Sequence, residues 1–246
     1  MGASAIEFRL RMAINAAIII LGFWAPWIEP WHIGRRISLL EWLSLELSRV
    51  GLVSFAVATP LLLSIAALFA AAAVLFRVWG TAYLGAGTVN SVNMMAGRVM
   101  ADGPYRFVRN PLYIGLWCMV IAATFLMPVT GALFAAILIT LFAVRLTLGE
   151  EGFLKSQIGD SYLAYLRAVP RFVPRFNGAP ARGGTKPQWV RSFLTELTPL
   201  GVLVAIAVYA RDYNLELAGR IILIFFGASL IVRAVMPRSV SPEPAP

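Results

Sequence analysis

The chain has 246 residues, of which 59% are hydrophobic and 13% charged, and its mean hydropathy is +0.77. A soluble domain carries about a quarter of its residues as charge, so a soluble globule is excluded and lipid must stand in for the missing polar surface. The net charge of +9 is therefore read by position, as a mark of the cytoplasmic side, and a single cysteine, Cys118, with a single histidine, His32, excludes an intramolecular disulfide and a Cys/His metal cage.

A spanning helix needs about 20 mostly apolar residues. Met12 to Ile28 is free of charge between Arg11 and Glu29, and with Trp24, Trp27 and Trp31 at its far end it reads as a retained first span with an aromatic belt. Ser38 to Arg49 mixes Leu39, Leu40, Trp42, Leu43 and Leu47 with Glu41, Glu46 and Arg49, the pattern of a helix lying on the membrane surface. Gly51 to Phe76 supplies a second span. Pro111 to Val144 is too long for one helix, and the turn chemistry of Met127 to Gly131 divides it into a tight hairpin of spans three and four. Leu197 to Ala210 and Leu217 to Val235 give two further hydrophobic segments, the last interrupted near its start by Arg220. The expectation is an all-α integral membrane protein of about six hydrophobic helices. Its parts are a first span with a surface helix (1–50), a core (51–176), a linker (177–187), an added helical hairpin (188–237) and a disordered tail (238–246).

Charge sets the expected orientation. With a cytoplasmic N-terminus, the inside segments hold Arg9 and Arg11, then Arg77, Arg98, Arg106 and Arg109, then eight basic residues from Arg145 to Arg191, then Arg233 and Arg238, which is 16 of the 21. Two polar segments, 77–110 and 145–186, are thereby predicted on one cytoplasmic face.

These two segments carry the chemistry. In Gly103 to Gly115, Asn110 before Pro111 has the form of a helix start, placing an N-cap and a positive dipole end beside Arg106 and Arg109, with Tyr113 on the same side of the helix. That suits a bound carboxylate or phosphate; a plain capped span with interfacial arginines and a tyrosine is the alternative reading. In the second segment, Arg145, Glu150 and Glu151 stand where the uncharged stretch ends. Ionisable groups at that depth are usually paired or functional, though a helix end reaching water also fits. Consecutive glutamates point about 100° apart on a helix, so one is expected to face a cavity and the other to support the fold. Tyr162 to Leu166 before Val-Pro-Arg-Phe-Val-Pro predicts a short amphipathic helix and a stiff return along the membrane.

Gly103-Pro104-Tyr105, Arg109-Asn110-Pro111-Leu112-Tyr113-Ile114-Gly115, Glu150-Glu151-Gly152-Phe153-Leu154, Ile158-Gly159-Asp160-Ser161-Tyr162-Leu163-Ala164-Tyr165 and Val169-Pro170-Arg171-Phe172-Val173-Pro174 occur in this order across about 100 residues. With Arg77-Val78-Trp79-Gly80 upstream, the set resembles the isoprenylcysteine carboxyl methyltransferase and phospholipid methyltransferase superfamily. Three departures stand out: Asn110 replaces a histidine, Ile158 replaces a phenylalanine, and Arg145 lies one residue before the family's usual arginine, where Leu146 stands. The resemblance implies S-adenosylmethionine as cofactor, in a cytosolic pocket formed by the loop before span three and the segment after span four. It implies methyl transfer to a lipid-like acceptor entering from the bilayer, an isoprenylcysteine-like carboxylate or a phospholipid amine, with a small hydrophobic thiol or amine as a further alternative. Carried onto this chain, it makes Gly103, Pro104, Tyr105, Arg109, Asn110, Tyr113, Glu150 and Glu151 cofactor-binding residues, Arg145 the residue that orients an anionic acceptor, and Glu151 the catalytic carboxylate.

Two other classes share features of this pattern. A membrane sterol-type reductase using NADPH shares the general architecture. A scaffold or transporter lacks, in the 111–144 hairpin, any ionisable residue at midplane to bind or relay a solute. His32 beside Trp31 reads as an interfacial anchor, Cys118 as a small packing residue, and Met94, Met95 and Met100 as adaptable filler or an acceptor tunnel.

Overall fold

The computed structural model describes residues 2–24, 37–85, 101–181 and 183–235. Among these the chain is helical, with no strand beyond an isolated bridge between Ser38 and Pro128. Trp27, Trp31, His32, Met94, Met95, Arg98, Met100, Arg182 and the tail lie outside the described residues, and with them the sequence expectations placed there.

Ser4 and Glu7 form a capping box that starts helix α1 (Ala5–Arg9), followed directly by α2 (Arg11–Phe23). A second capping box, Ser38 with Glu41, starts α3 (Leu39–Arg49), the helix expected over Ser38 to Arg49. Its Leu40 is fully buried, and its first N–H groups bond Met127 O and Phe125 O, so α3 is fixed to the far turn of the hairpin. Helix α4 (Phe55–Leu84) runs 30 residues. A 3-10 turn (Gly103–Arg106) leads to α5 (Pro111–Thr124), and residues 125–128 turn the chain into α6 (Val129–Ile158). The amphipathic helix α7 (Asp160–Ala168) follows, then α8 (Trp189–Thr195), α9 (Leu197–Asp212) and α10 (Leu215–Val235).

Three helices, α4, α6 and α10, are long and apolar enough to cross a membrane. The count becomes four if α8 and α9, bent by 63° at Glu196, form one broken span. The expected number was six. The difference lies in α2 and α5, whose described lengths of 13 and 14 residues reach about 20 Å at 1.5 Å per residue, short of a core about 30 Å thick. The predicted hairpin is present but unequal: Pro111 and the 125–128 turn confine α5, while α6 carries on into the polar segment.

Close helix approach rests on small residues, as is usual where lipid removes the hydrophobic drive between helices. Ala58, Ala66, Ala70 and Ala73 are fully buried on α4. At the α2–α6 crossing a Cβ on Gly131 would sit 1.8 Å from Gly22 O, so that contact admits no side chain. Leu61, Leu68 and Leu75 on α4 and Leu133, Ile137 and Leu141 on α6 remain exposed, forming apolar stripes suited to lipid.

Candidate active site and adjoining cavity

The two polar segments meet at one end of the bundle. Arg109 N–H donates to Pro170 O (2.9 Å), Arg175 N–H to Phe107 O (3.0 Å), and the Tyr165 hydroxyl to Tyr105 O (2.8 Å). Gly103 takes φ +54°, and a Cβ there would lie 2.3 Å from the Tyr83 ring, so glycine is needed on both counts. Pro104 and Tyr105 behind it are buried, and burial holds the Tyr105 phenol well above its ordinary pKa. Asp102 accepts from the N–H groups of Gly183 (2.7 Å) and Thr185 (2.9 Å), and Arg106 Nε donates to Pro180 O (2.8 Å), so the linker is bound across this loop.

Asn110 occupies the N-cap position of α5, but its side chain does not cap the helix. Instead Nδ2 donates to Glu151 Oε1 (3.1 Å) and Arg171 O (3.3 Å). Glu151, buried on α6, also faces Arg109 Nη1 at 3.3 Å and Arg171 Nη2 at 2.8 Å. A buried carboxylate is tolerated when its lone pairs are met by cations and amide donors, and Glu151 has both. The Glu151 hydrogen bond in turn raises the Arg171 pKa.

Glu150 points elsewhere. It faces the Tyr113 hydroxyl, and both line a cavity of about 280 Å³. The expectation that the two glutamates diverge holds, and the one facing the cavity is Glu150. The charged lining residues and Tyr113 stand at matching ends of their helices: Arg11 on α2, Arg77 on α4, Tyr113 on α5, Glu150 on α6, Glu196 before α9 and Arg233 on α10. Deeper, Phe23, Met119, Val202, Ile222 and Phe226 make the walls apolar.

Arg145 is not brought to this cavity. It pairs through Nε and Nη2 with the Glu7 carboxylate (2.9–3.1 Å), and its carbonyl accepts from Ala3 N–H (2.7 Å). A Cβ on Gly149 would fall 2.7 Å from Ala3 O, so the N-terminal segment lies flat on α6 one turn before the glutamates. Arg145 and Glu151 thus belong to separate ion pairs.

Sequence reasoning missed Arg171 as a site residue, although it sits in the quoted Val-Pro-Arg motif; a carboxylate at the bilayer edge calls for such a cation. It also missed Arg11, Glu196 and Arg233, which carry no motif and become neighbours through tertiary packing alone.

Residues 60–161 match the family model of phospholipid methyltransferases. A stretch of 78 residues is 36% identical to protein-S-isoprenylcysteine O-methyltransferase of Schizosaccharomyces pombe, covering 31% of this chain and 33% of that protein. The chain thus spans about a third of the length of that curated relative. No solved structure gives a significant match. The resemblance drawn from the motifs is therefore upheld over the stretch from α4 into α7: this part of the chain carries the sequence pattern of the phospholipid and isoprenylcysteine methyltransferase superfamily.

Proposed function

We propose that the protein is an integral-membrane methyltransferase that uses S-adenosylmethionine to methylate a hydrophobic, lipid-like acceptor at the cytoplasmic face. The observation that supports this best is the junction of the two polar segments beside a mostly apolar cavity. Donors and acceptors for a zwitterionic, polar cofactor stand at its rim, in Tyr113 and Glu150, and apolar walls for an acceptor run inward.

The residues present fit the cofactor. Because Asn110 turns away to Glu151, the first turn of α5 has no side-chain cap, and such an uncapped N-terminus favours a carboxylate. Gly103, Pro104 and Tyr105 shape the adjoining loop, and Glu150 offers a carboxylate to an ammonium, a ribose hydroxyl or a cationic centre. Glu151, given the catalytic role by the resemblance, acts in this reading through Arg109, Asn110 and Arg171, whose positions it sets. Arg145 acts through Glu7, holding the N-terminal wall of the cavity in place.

S-adenosylmethionine supplies a methyl group already activated on a sulfonium. The protein's task is then alignment and exclusion of water: Tyr113 and Glu150 fix the polar end, and the α2, α5 and α9 side chains keep the interior dry. Equilibrium dialysis of the detergent-solubilised protein against labelled S-adenosylmethionine and labelled NADPH tests the cofactor. Saturable retention of the first alone is expected, and retention of NADPH alone would transfer the reading to a reductase.

A further inference from the structure

Helices α8 to α10 lie beyond the stretch that matches the family, yet Glu196, α9 and α10 complete the cavity. Their attachment is built around the 63° break between α8 and α9. There Glu196, its side chain 1% exposed, accepts from Arg77 Nε (2.6 Å), Arg77 Nη2 (2.8 Å) and Thr81 Oγ1 (2.9 Å), with Arg233 Nη2 at 3.9 Å. The carbonyl freed at the break, Thr195 O, accepts from Ser229 Oγ and from Arg233 Nε and Nη2 (3.0–3.1 Å).

Two guanidiniums therefore share one carboxylate. Both are mostly buried, 16% and 15% exposed, and both line the cavity with Glu196. Among the described residues no protein group bonds Nη1 of Arg77 or of Arg233. Among the described residues, Arg77 and Arg233 thus face the single carboxylate of Glu196, two positive charges against one negative. Arg11 is already engaged with Phe8 through its carbonyl and ring. Uncompensated charge at membrane depth is costly, and an anion placed against Arg77 and Arg233 removes that cost. From Arg233 the α10 wall continues inward through Phe226, Leu223 and Ile222, about 16 Å along the helix at 1.5 Å per residue.

We infer that the cavity closed by α9 and α10 binds an anionic amphiphile, its carboxylate or phosphate head on Arg77 and Arg233 and its chain along Ile222, Leu223 and Phe226. This deepens the proposed function, on which it rests for calling that ligand the methyl acceptor, and makes Arg233 a residue that selects the acceptor's charge.

The test is photolabelling of the full chain in detergent with three single-chain diazirine probes of equal length, bearing a carboxylate, a phosphate or a trimethylammonium head. Labelled positions are mapped by mass spectrometry and normalised to the outward-facing Ile224 and Ile231. The carboxylate or phosphate probe is expected to label the cavity-lining Val202 and Ile222 at least tenfold more than the ammonium probe, and comparison of the two anionic arms identifies the head. Arg233→Gln should reduce anionic labelling about tenfold while Arg233→Lys restores it. Because Arg233 also holds the helix break, Phe226→Trp provides a variant with the ion cluster intact; it should block labelling without changing the unfolding temperature. Equal labelling by the ammonium probe, or anionic labelling unchanged in both Arg233→Gln and Phe226→Trp, overturns the inference. The readout needs no methyl transfer, so loss of the enzymatic reading would leave it separately decided.

Discussion

The Asn110 amide reaches Glu151 Oε1, 41 positions along the chain, at 3.1 Å, joining the start of α5 to the polar end of α6. Where the superfamily shows a histidine, this chain uses a side chain that donates one hydrogen bond to a buried carboxylate and another to the Arg171 carbonyl. Asn110→Ala should cost about 1–3 kcal/mol, the usual loss when a buried acceptor gives up a donor, while Asn110→His restores part of it. Thermal unfolding in detergent reads both. An unchanged midpoint in Asn110→Ala would show that the bond does not hold the two segments together.

The neighbouring glutamates should separate in their effects. Glu151→Gln leaves Arg109 and Arg171 without their anion and is expected to destabilise by about 3 kcal/mol, the low end for breaking a buried pair, because Arg171 is 41% exposed. Glu150→Gln removes no ion-pair partner of comparable closeness. It should leave the unfolding midpoint nearly unchanged and weaken S-adenosylmethionine binding at least tenfold by calorimetry. The reverse pattern, with binding lost only in a stable Glu151→Gln protein, would return the cofactor role to Glu151.

The N-terminal wall should respond to acid. Hydrogen bonds from Arg145, and then from the Ser4 backbone, hold the Glu7 carboxyl at about 2, below its ordinary 4.5. A depressed carboxylate pKa contributes stability above the unfolded value and loses it as pH falls toward the folded one. Docking of residues 2–9 on α6 should thus be intact above pH 4.5 and fade between 4.5 and about 2. Hydrogen exchange of the N-terminal peptide, sampled across that window, should rise in the wild type. Glu7→Gln should already show the faster exchange at neutral pH, and no difference between the two proteins would contradict the tether.

Gly131→Ala should be among the most damaging small substitutions, since its methyl would meet Gly22 O at 1.8 Å and force α2 away from α6. A loss of about 1–3 kcal/mol is expected for such overpacking. Gly152→Ala, where nothing lies within 4 Å of the added Cβ, serves as the tolerated control in the same unfolding assay.

Much of this was readable from local chemistry. The helix over Ser38 to Arg49, the turn before Val129, the helix start at Pro111 and the divergence of Glu150 from Glu151 all follow from neighbours a few residues apart. The motif order pointed to the two segments that interlock through Arg109 and Pro170. What local pattern does not contain is which charge meets which. Arg145 has the right depth to serve the cavity, but the Ser4–Glu7 capping box presents Glu7 to it, and that pairing depends on how α1 lies on α6. Glu196 and Arg233 look like the ends of two unremarkable hydrophobic segments until the α8–α9 break sets them against Arg77. Helix length was less legible for a related reason: hydropathy marks the six apolar runs, whereas α5 ends where the 125–128 turn packs beneath α3.

The central claim is cofactor-driven methylation of a hydrophobic acceptor, and it is tested most directly by incubating the purified protein with methyl-labelled S-adenosylmethionine and an extract of membrane lipids and hydrophobic acids. Label should pass into the organic phase with the wild type and fall at least tenfold with Glu150→Gln. Organic-phase label no greater than in a protein-free control, in a preparation that binds the cofactor, would contradict the account.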